Sequence, residues 1–296
     1  VNRVLLGQIC AVLTALSWAI AVVCYRKVRH EVSSLSLNIF KTTFALLLFL
    51  ITFLFLDLPL TPNHLSQMDL LILAVSGFFG ITLADWTYLA GLKRLGAQFS
   101  AIVSTSYSPI AIGLAFFLFS ERIGVIGSFG AGLVILGITL GYLQNRLRIP
   151  NQRDLWSGVF YGLATEVMMV SAVLSIRDIL RAGPLMWIIT FRFLVGAVLS
   201  FPFLFSKKAL INLKESTFHK SNFFWMSLGS FFGPYLATIF WLAGFQLAPA
   251  TKVAVLNQLS TVFIFILSGI FLKEPLSFFR ILAMALAVIG ALLVQI

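Results

Sequence analysis

The sequence predicts an all-α integral membrane protein, with ten transmembrane helices arranged as two inverted five-helix repeats. Three observations carry this. Of the 296 residues, 60% are hydrophobic and only 10% charged, far outside the range of soluble domains. Ten apolar segments follow one another, each long enough at about 1.5 Å per residue to cross a hydrocarbon core of about 30 Å. The last five segments can also be laid on the first five, residue upon residue. A net charge of +11 would suggest nucleic acid in a soluble chain. Here the basic residues fall in short clusters between apolar runs, as membrane-flanking loops require, so no nucleic-acid partner is expected.

The first segment, 7–25, holds Cys10 and Cys24, about 21 Å apart on a helix and so unable to bridge. No small-residue cleavage site precedes the basic YRKVRH, and the segment reads as a retained helix rather than a signal peptide. It carries Thr14, Ser17 and Trp18. The second segment, 35–56, carries Lys41. The third, 70–92, has Thr82, Asp85 and Tyr88 at three-residue spacing, on one helical face, and a small pair, Ser76 and Gly80. In the fourth, 100–119, Ser100, Ser104 and Ser108 share a face with Tyr107 close by. The fifth, 123–143, lacks such a stripe. Its small-xxx-small pair, Gly137 and Gly141, is expected to pack within the chain, with a homodimer contact as the alternative. The hydrophilic NRLRIPNQRD separates the two repeats, 1–145 and 146–296.

In the second half, segment 155–176 carries Thr165, Glu166, Met168 and Met169, and 184–205 carries Arg192. Segment 223–245 has Tyr235, Thr238 and Trp241 on a face, a small pair Gly229 and Gly233, and Pro234, which predicts a kink. Segment 253–272 carries Asn257 and Thr261, and 278–295 again has no stripe.

The repeat is explicit. At an offset of 151, Gly7 meets Gly158, Thr14 meets Thr165, Arg26 meets Arg177 and Lys41 meets Arg192. At 153, Gly80 meets Gly233, Ala90-Gly91 meets Ala243-Gly244, Glu121 meets Glu274 and Gly137 meets Gly290. An odd number of spans per half brings the second half into the bilayer from the opposite side, which gives inverted topology.

The run GITLAD, the following LKRLGAQFSAIVSTSYSP, the acidic residue closing the fourth span of each half (FSER, LKEP) and the five-plus-five repeat resemble the drug/metabolite transporter superfamily, in its ten-helix EamA-type branch. The resemblance covers nearly the whole chain. It implies transport across a membrane, with a bacterial inner (plasma) membrane as the expected location. The family's substrates run from amino acids and other metabolites to sugars and nucleotide sugars.

Polar side chains inside a bilayer turn toward protein or water. The stripes therefore predict a central cavity lined by spans one to four and six to nine, with spans five and ten outside as supports. The residues expected there are Trp18, Lys41, Thr82, Asp85, Tyr88, Ser104, Glu166, Arg192, Tyr235, Thr238, Trp241 and Asn257. Trp86 is off the stripe and expected to pack. Four of the twelve are charged, costly at membrane depth and therefore functional candidates. Depth along the helices sorts them into two pairs. Lys41 lies about 9 Å into its span and Asp85 about 10 Å from the end of its own, on the same side. Glu166 and Arg192 lie about 16 and 12 Å into theirs from opposite sides, near the midplane. These are either structural ion pairs or a site where a carboxylate takes a proton or a substrate ammonium and the cation holds a substrate anion. Glu121 and Glu274, beside Arg122 and Lys273, read as interfacial anchors.

Fourteen basic residues lie in the loops after odd-numbered spans and five on the other side. By the positive-inside rule this places the odd loops in the cytoplasm, although relatives in the resembled family, with cytoplasmic termini, argue the reverse. No cofactor or metal is expected. There is no G-x-x-x-x-G-K-[ST] loop, and His30, His64 and His219 lie in loops without ligand spacing. The expected partners are a small-molecule substrate and the surrounding lipid. The function expected is secondary active transport, as exporter or exchanger, of a small polar metabolite such as an amino acid or organic anion, with proton coupling an option. A membrane-embedded enzyme acting on lipid and a channel are the alternatives.

Overall fold

A computed structural model describes residues 3–56, 65–119, 124–146, 152–202, 220–248, 253 and 256–293. Among them secondary structure is helical, as a backbone surrounded by lipid must be to satisfy its own polar groups. In chain order the helices are α1 (Arg3–Lys27), α2 (Ser34–Phe55), α3 (Gln67–Leu95), α4 (Ala97–Ser104), α5 (Tyr107–Phe119), α6 (Val125–Arg146) and α7 (Gln152–Leu174). Then follow α8 (Arg177–Ala182), α9 (Leu185–Ser200), α10 (Lys220–Leu247), α11 (Leu259–Phe271) and α12 (Phe278–Leu293). Six of these, α1, α2, α3, α6, α7 and α10, are long and apolar enough to cross a membrane, while α9, α11 and α12 are shorter apolar helices. Polar caps set two of the starts. Ser33 accepts from the Ser36 amide at 3.0 Å before α2, and Ser66 with Asp69 forms a capping box before α3, satisfying amides that have no partner inside the helix.

Two departures from simple spans occur, and each occurs twice. α3 contains a π-helical stretch, Phe78–Ala84, and α10 contains one at Phe231–Ala237, the position 153 residues on. The kink expected at Pro234 falls inside the second stretch. The fourth and ninth segments, expected to be continuous, are interrupted. At Thr105, the Ser108 amide bonds the Thr105 carbonyl, and at Gln258 the Thr261 amide bonds the Gln258 carbonyl, three residues back in both cases. These tighter turns are again 153 residues apart, and Gln258 Nε2 donates to Ser108 Oγ at 2.9 Å to join them.

Contacts obey the same offsets. α3 packs on α7 and α9, and α10 packs on α1 and α2, so each half grips the other. Where α3 crosses α7, Gly91 lies against Gly158; where α10 crosses α1, its mate Gly244 lies against Gly7. Within a bilayer such close approaches, rather than exclusion from water, hold helices together. α6 and α12 pack on one another. Gly137 sits against Ala283 and Ala287, and its mate Gly290 against Gly130 and Val134. That gives Gly137 a contact within the chain, and Gly141 has another against Phe99. Tyr25, Val28, Leu37, Leu89 and Met226 form one buried apolar cluster. Their repeat mates Ile176, Ile179, Ile188, Leu242 and Leu73 form another.

Candidate functional site: a polar cavity between two apolar clusters

Between these clusters lies a cavity of about 260 Å³, lined from α1, α2, α3, α4, α5, α7, α9, α10 and α11, with no residue from the outer helices α6 and α12. Tyr88 belongs both to the first cluster and to the lining, and Ile81 and Phe193 both to the second cluster and to the lining. Ten of the residues expected from the sequence line it: Trp18, Lys41, Asp85, Tyr88, Ser104, Glu166, Arg192, Thr238, Trp241 and Asn257.

Thr82 and Tyr235 do not. The Thr82 hydroxyl donates to the Gly196 carbonyl at 3.1 Å, on α9. The Tyr235 hydroxyl pairs with Thr52 Oγ1 at 2.6 Å, on α2, with its ring on Phe49 at 5.0 Å. The two are repeat mates, and the same cause displaces both. Each sits in a π-helical stretch, where bonds to the fifth residue widen the turn and residues three apart no longer share a face. Gly80 and Ile81, with Gly233 and Pro234, line the cavity instead. Only Pro234 marks such a stretch in the sequence, and the first half has no equivalent mark.

Lys41 and Asp85, 3% and 8% exposed, form a direct ion pair between α2 and α3. The second expected pair is not formed. Glu166 and Ser104 line the cavity together, and among the described residues no ion pair reaches Glu166 or Arg192. Arg192 is 4% exposed, its Nε is buried without a partner, and its Nη2 lies where a side chain on Gly80 would begin. The carboxylate of Asp85 lines the same cavity. Depth along a helix fixes height in the bilayer but not direction around the cavity.

Aromatic and amide groups complete the lining. Trp18 and Tyr88 lie with ring centroids 5.3 Å apart. With its amide nitrogen toward the Ala11 carbonyl at 3.1 Å, Asn257 accepts from Trp241 Nε1 at 3.3 Å. Trp86 stacks edge-on against Tyr161, off the cavity. Gln258, Phe245 and Phe193 line the cavity without having been expected. Gln258 is the repeat mate of Thr105, which is off the stripe and does not line the cavity, so the doubled stripe gave no signal for it.

Beyond the first apolar cluster, on the face rich in basic residues, a polar tie joins the two halves. Arg26 donates to the Leu92 and Lys93 carbonyls at 2.9 and 2.8 Å, and its Nε stands 3.5 Å from Glu274. The Glu274 carboxylate accepts the amides of Ala97 and Gln98 at 3.0 and 3.1 Å, at the start of α4. Gly96, with φ of 85°, makes the turn that presents those amides, a conformation costly for residues with a Cβ. Arg280 donates to Gln98 Oε1 at 2.9 Å. Glu274 is thus a cap across the two halves rather than the interfacial anchor its position suggested. Its mate Glu121 lies outside the described residues, as do His64 and His219. Arg177, the mate of the buried Arg26, is exposed on the opposite face.

Apolar helices around a central cavity bearing unlike charges fit an integral membrane transporter. Residues 5–143 and 156–296 each match the EamA-like transporter family, and the chain belongs to it. It is 25% identical over 283 residues to an uncharacterized transporter of Archaeoglobus fulgidus, covering 94% of each chain. It is 26% identical over 240 residues to the uncharacterized transporter YetK of Bacillus subtilis, covering 78% of this chain and 69% of that one. A solved crystal structure superposes with a TM-score of 0.66 over 97% of this chain and 95% of the other, at 16% identity, a likeness of fold alone.

Proposed function

We propose that the protein is a secondary active transporter that exports or exchanges a small polar metabolite, an amino acid or organic anion, by alternating access. In this reading the apolar helices, with α4 and α5 counted as one interrupted span, make ten crossings in two inverted halves, expected in a bacterial inner membrane. The observation that carries it is the unequal state of repeat mates on either side of the cavity. Arg26 is buried in the tie to Glu274 on one face, and Arg177 is exposed on the other. Exchanging those two states would open the cavity to the opposite side. The volume of about 260 Å³ falls below the roughly 300–1,000 Å³ of pockets that enclose drug-sized ligands, which favours a small metabolite.

The test is counterflow. Proteoliposomes loaded with an unlabelled ligand, chosen by the largest rise in melting temperature among amino acids and organic acids, should take up the labelled ligand faster than empty ones. Flux indifferent to internal ligand would indicate a channel. Turnover of a lipid without transport would indicate the membrane enzyme.

A further inference from the structure

The offset that carries Lys41 onto Arg192 and Asp85 onto Thr238 carries the ion pair of the first half onto an arginine and a threonine. Close by, the two halves repeat their contacts. Thr82 faces Gly196 and Ser200 on α9, and Tyr235 faces Phe49 and Thr52 on α2. Phe49 and Ser200 are themselves mates at 151. At the ion pair the chemistry is broken, because the cation is kept and the carboxylate is replaced by a hydroxyl.

The consequence is visible in the cavity. Lys41 has Asp85 in direct contact. Arg192 is just as deeply buried and has no such partner, with Nε unsatisfied and the guanidinium end against Gly80. Glu166 lines the same cavity and makes no ion pair with it. Asp85 is thus taken up by Lys41, and a buried guanidinium without a matching anion is unfavourable. Thr238 is half-buried and lines the same cavity.

We propose that Arg192 and Thr238 form the subsite for a carboxylate of the transported molecule, which completes in trans the ion pair that the second half lacks. This rests on the transporter reading for its biological sense, but its test does not involve transport. A planar guanidinium matches a carboxylate in bidentate geometry, and the Thr238 hydroxyl supplies a further donor. One negative charge matches the single charge of the Arg192 guanidinium. A phosphate dianion would overshoot it, so the subsite favours a carboxylate over inorganic phosphate.

The experiment supplies the missing carboxylate within the chain. Thr238→Asp should raise the melting temperature of the ligand-free protein by about 2 °C or more relative to Thr238→Asn, and Arg192→Gln should abolish that rise. In the wild type, benzoate should raise the melting temperature, whereas its neutral isostere benzamide and inorganic phosphate should not. Thr238→Asp should remove the benzoate response. No Arg192-dependent gain from Thr238→Asp would overturn the proposal, as would no response to benzoate or an equal response to benzamide. A larger response to phosphate would overturn the choice of carboxylate. Because stability and binding are read in detergent, failure of counterflow leaves these outcomes untouched, and the reverse also holds.

Discussion

Arg26 at the end of α1 and Glu274 in the segment before α12 meet at 3.5 Å across the two halves, and the Glu274 carboxylate also caps the start of α4. One carboxylate therefore ties together the ends of helices that would have to separate if the cavity opened on this face. Cys24, 2% exposed in the closed packing beside Tyr25, reports on that opening. With Cys10 replaced by Ser, Glu274→Gln should speed the reaction of Cys24 with a maleimide by about threefold to tenfold, which corresponds to roughly 1 kcal/mol of lost closure. An unchanged rate would remove the tie from the account.

The Lys41–Asp85 pair makes a different prediction. Asp85→Asn leaves a buried ammonium without its counter-charge, and the expected loss of stability is about 3 kcal/mol, read from thermal or denaturant unfolding. Replacing both residues, as Lys41→Met with Asp85→Leu, should cost less than Asp85→Asn alone. If Asp85 also couples protons, transport by a surviving Asp85→Asn protein should lose its pH dependence. A wild-type pH profile would leave the pair a structural one. His30 would not confuse the profile above pH 7, because the charge of Arg29, then slight desolvation of this exposed ring, then Arg26 and Lys93 lower its pKa from the ordinary histidine value.

Thr82 and Tyr235 should separate packing from binding. Both turn away from the cavity toward the opposite half, so Thr82→Val and Tyr235→Phe should each cost about 1 kcal/mol of stability and leave ligand affinity unchanged. Thr238→Val, on the cavity, should weaken the benzoate response instead. A comparable loss of affinity from Thr82→Val would mean that the π-helical stretch does not hold this register.

These residues also show how far the sequence could be read. The doubled offsets foreshadow contacts such as Gly91 on Gly158 with Gly244 on Gly7, because duplicated small residues leave duplicated close approaches. Asp85, Tyr88, Thr238 and Trp241 lie in α-helical turns, where three-residue spacing holds a face. Thr82 and Tyr235 were misplaced because a π-helical turn changes the period and leaves no mark in the first half. Glu166 and Arg192 were paired by height, which carries no information on direction around the cavity. The cap formed by Glu274 was not legible at all, since the amides it satisfies lie some 176 residues away in the other repeat.

Alternating access requires that opening one face close the other, and one pair of mates measures it directly. Val28 and Ile179, 1% and 8% exposed, occupy equivalent places in the two apolar clusters. In a background without Cys10 and Cys24, Val28→Cys and Ile179→Cys would each be labelled with a maleimide, with and without Glu274→Gln. The account predicts reciprocal changes, with faster labelling at Val28→Cys and slower labelling at Ile179→Cys when the tie is cut. A change in the same direction at both sites, or a change at Val28→Cys alone, would contradict it.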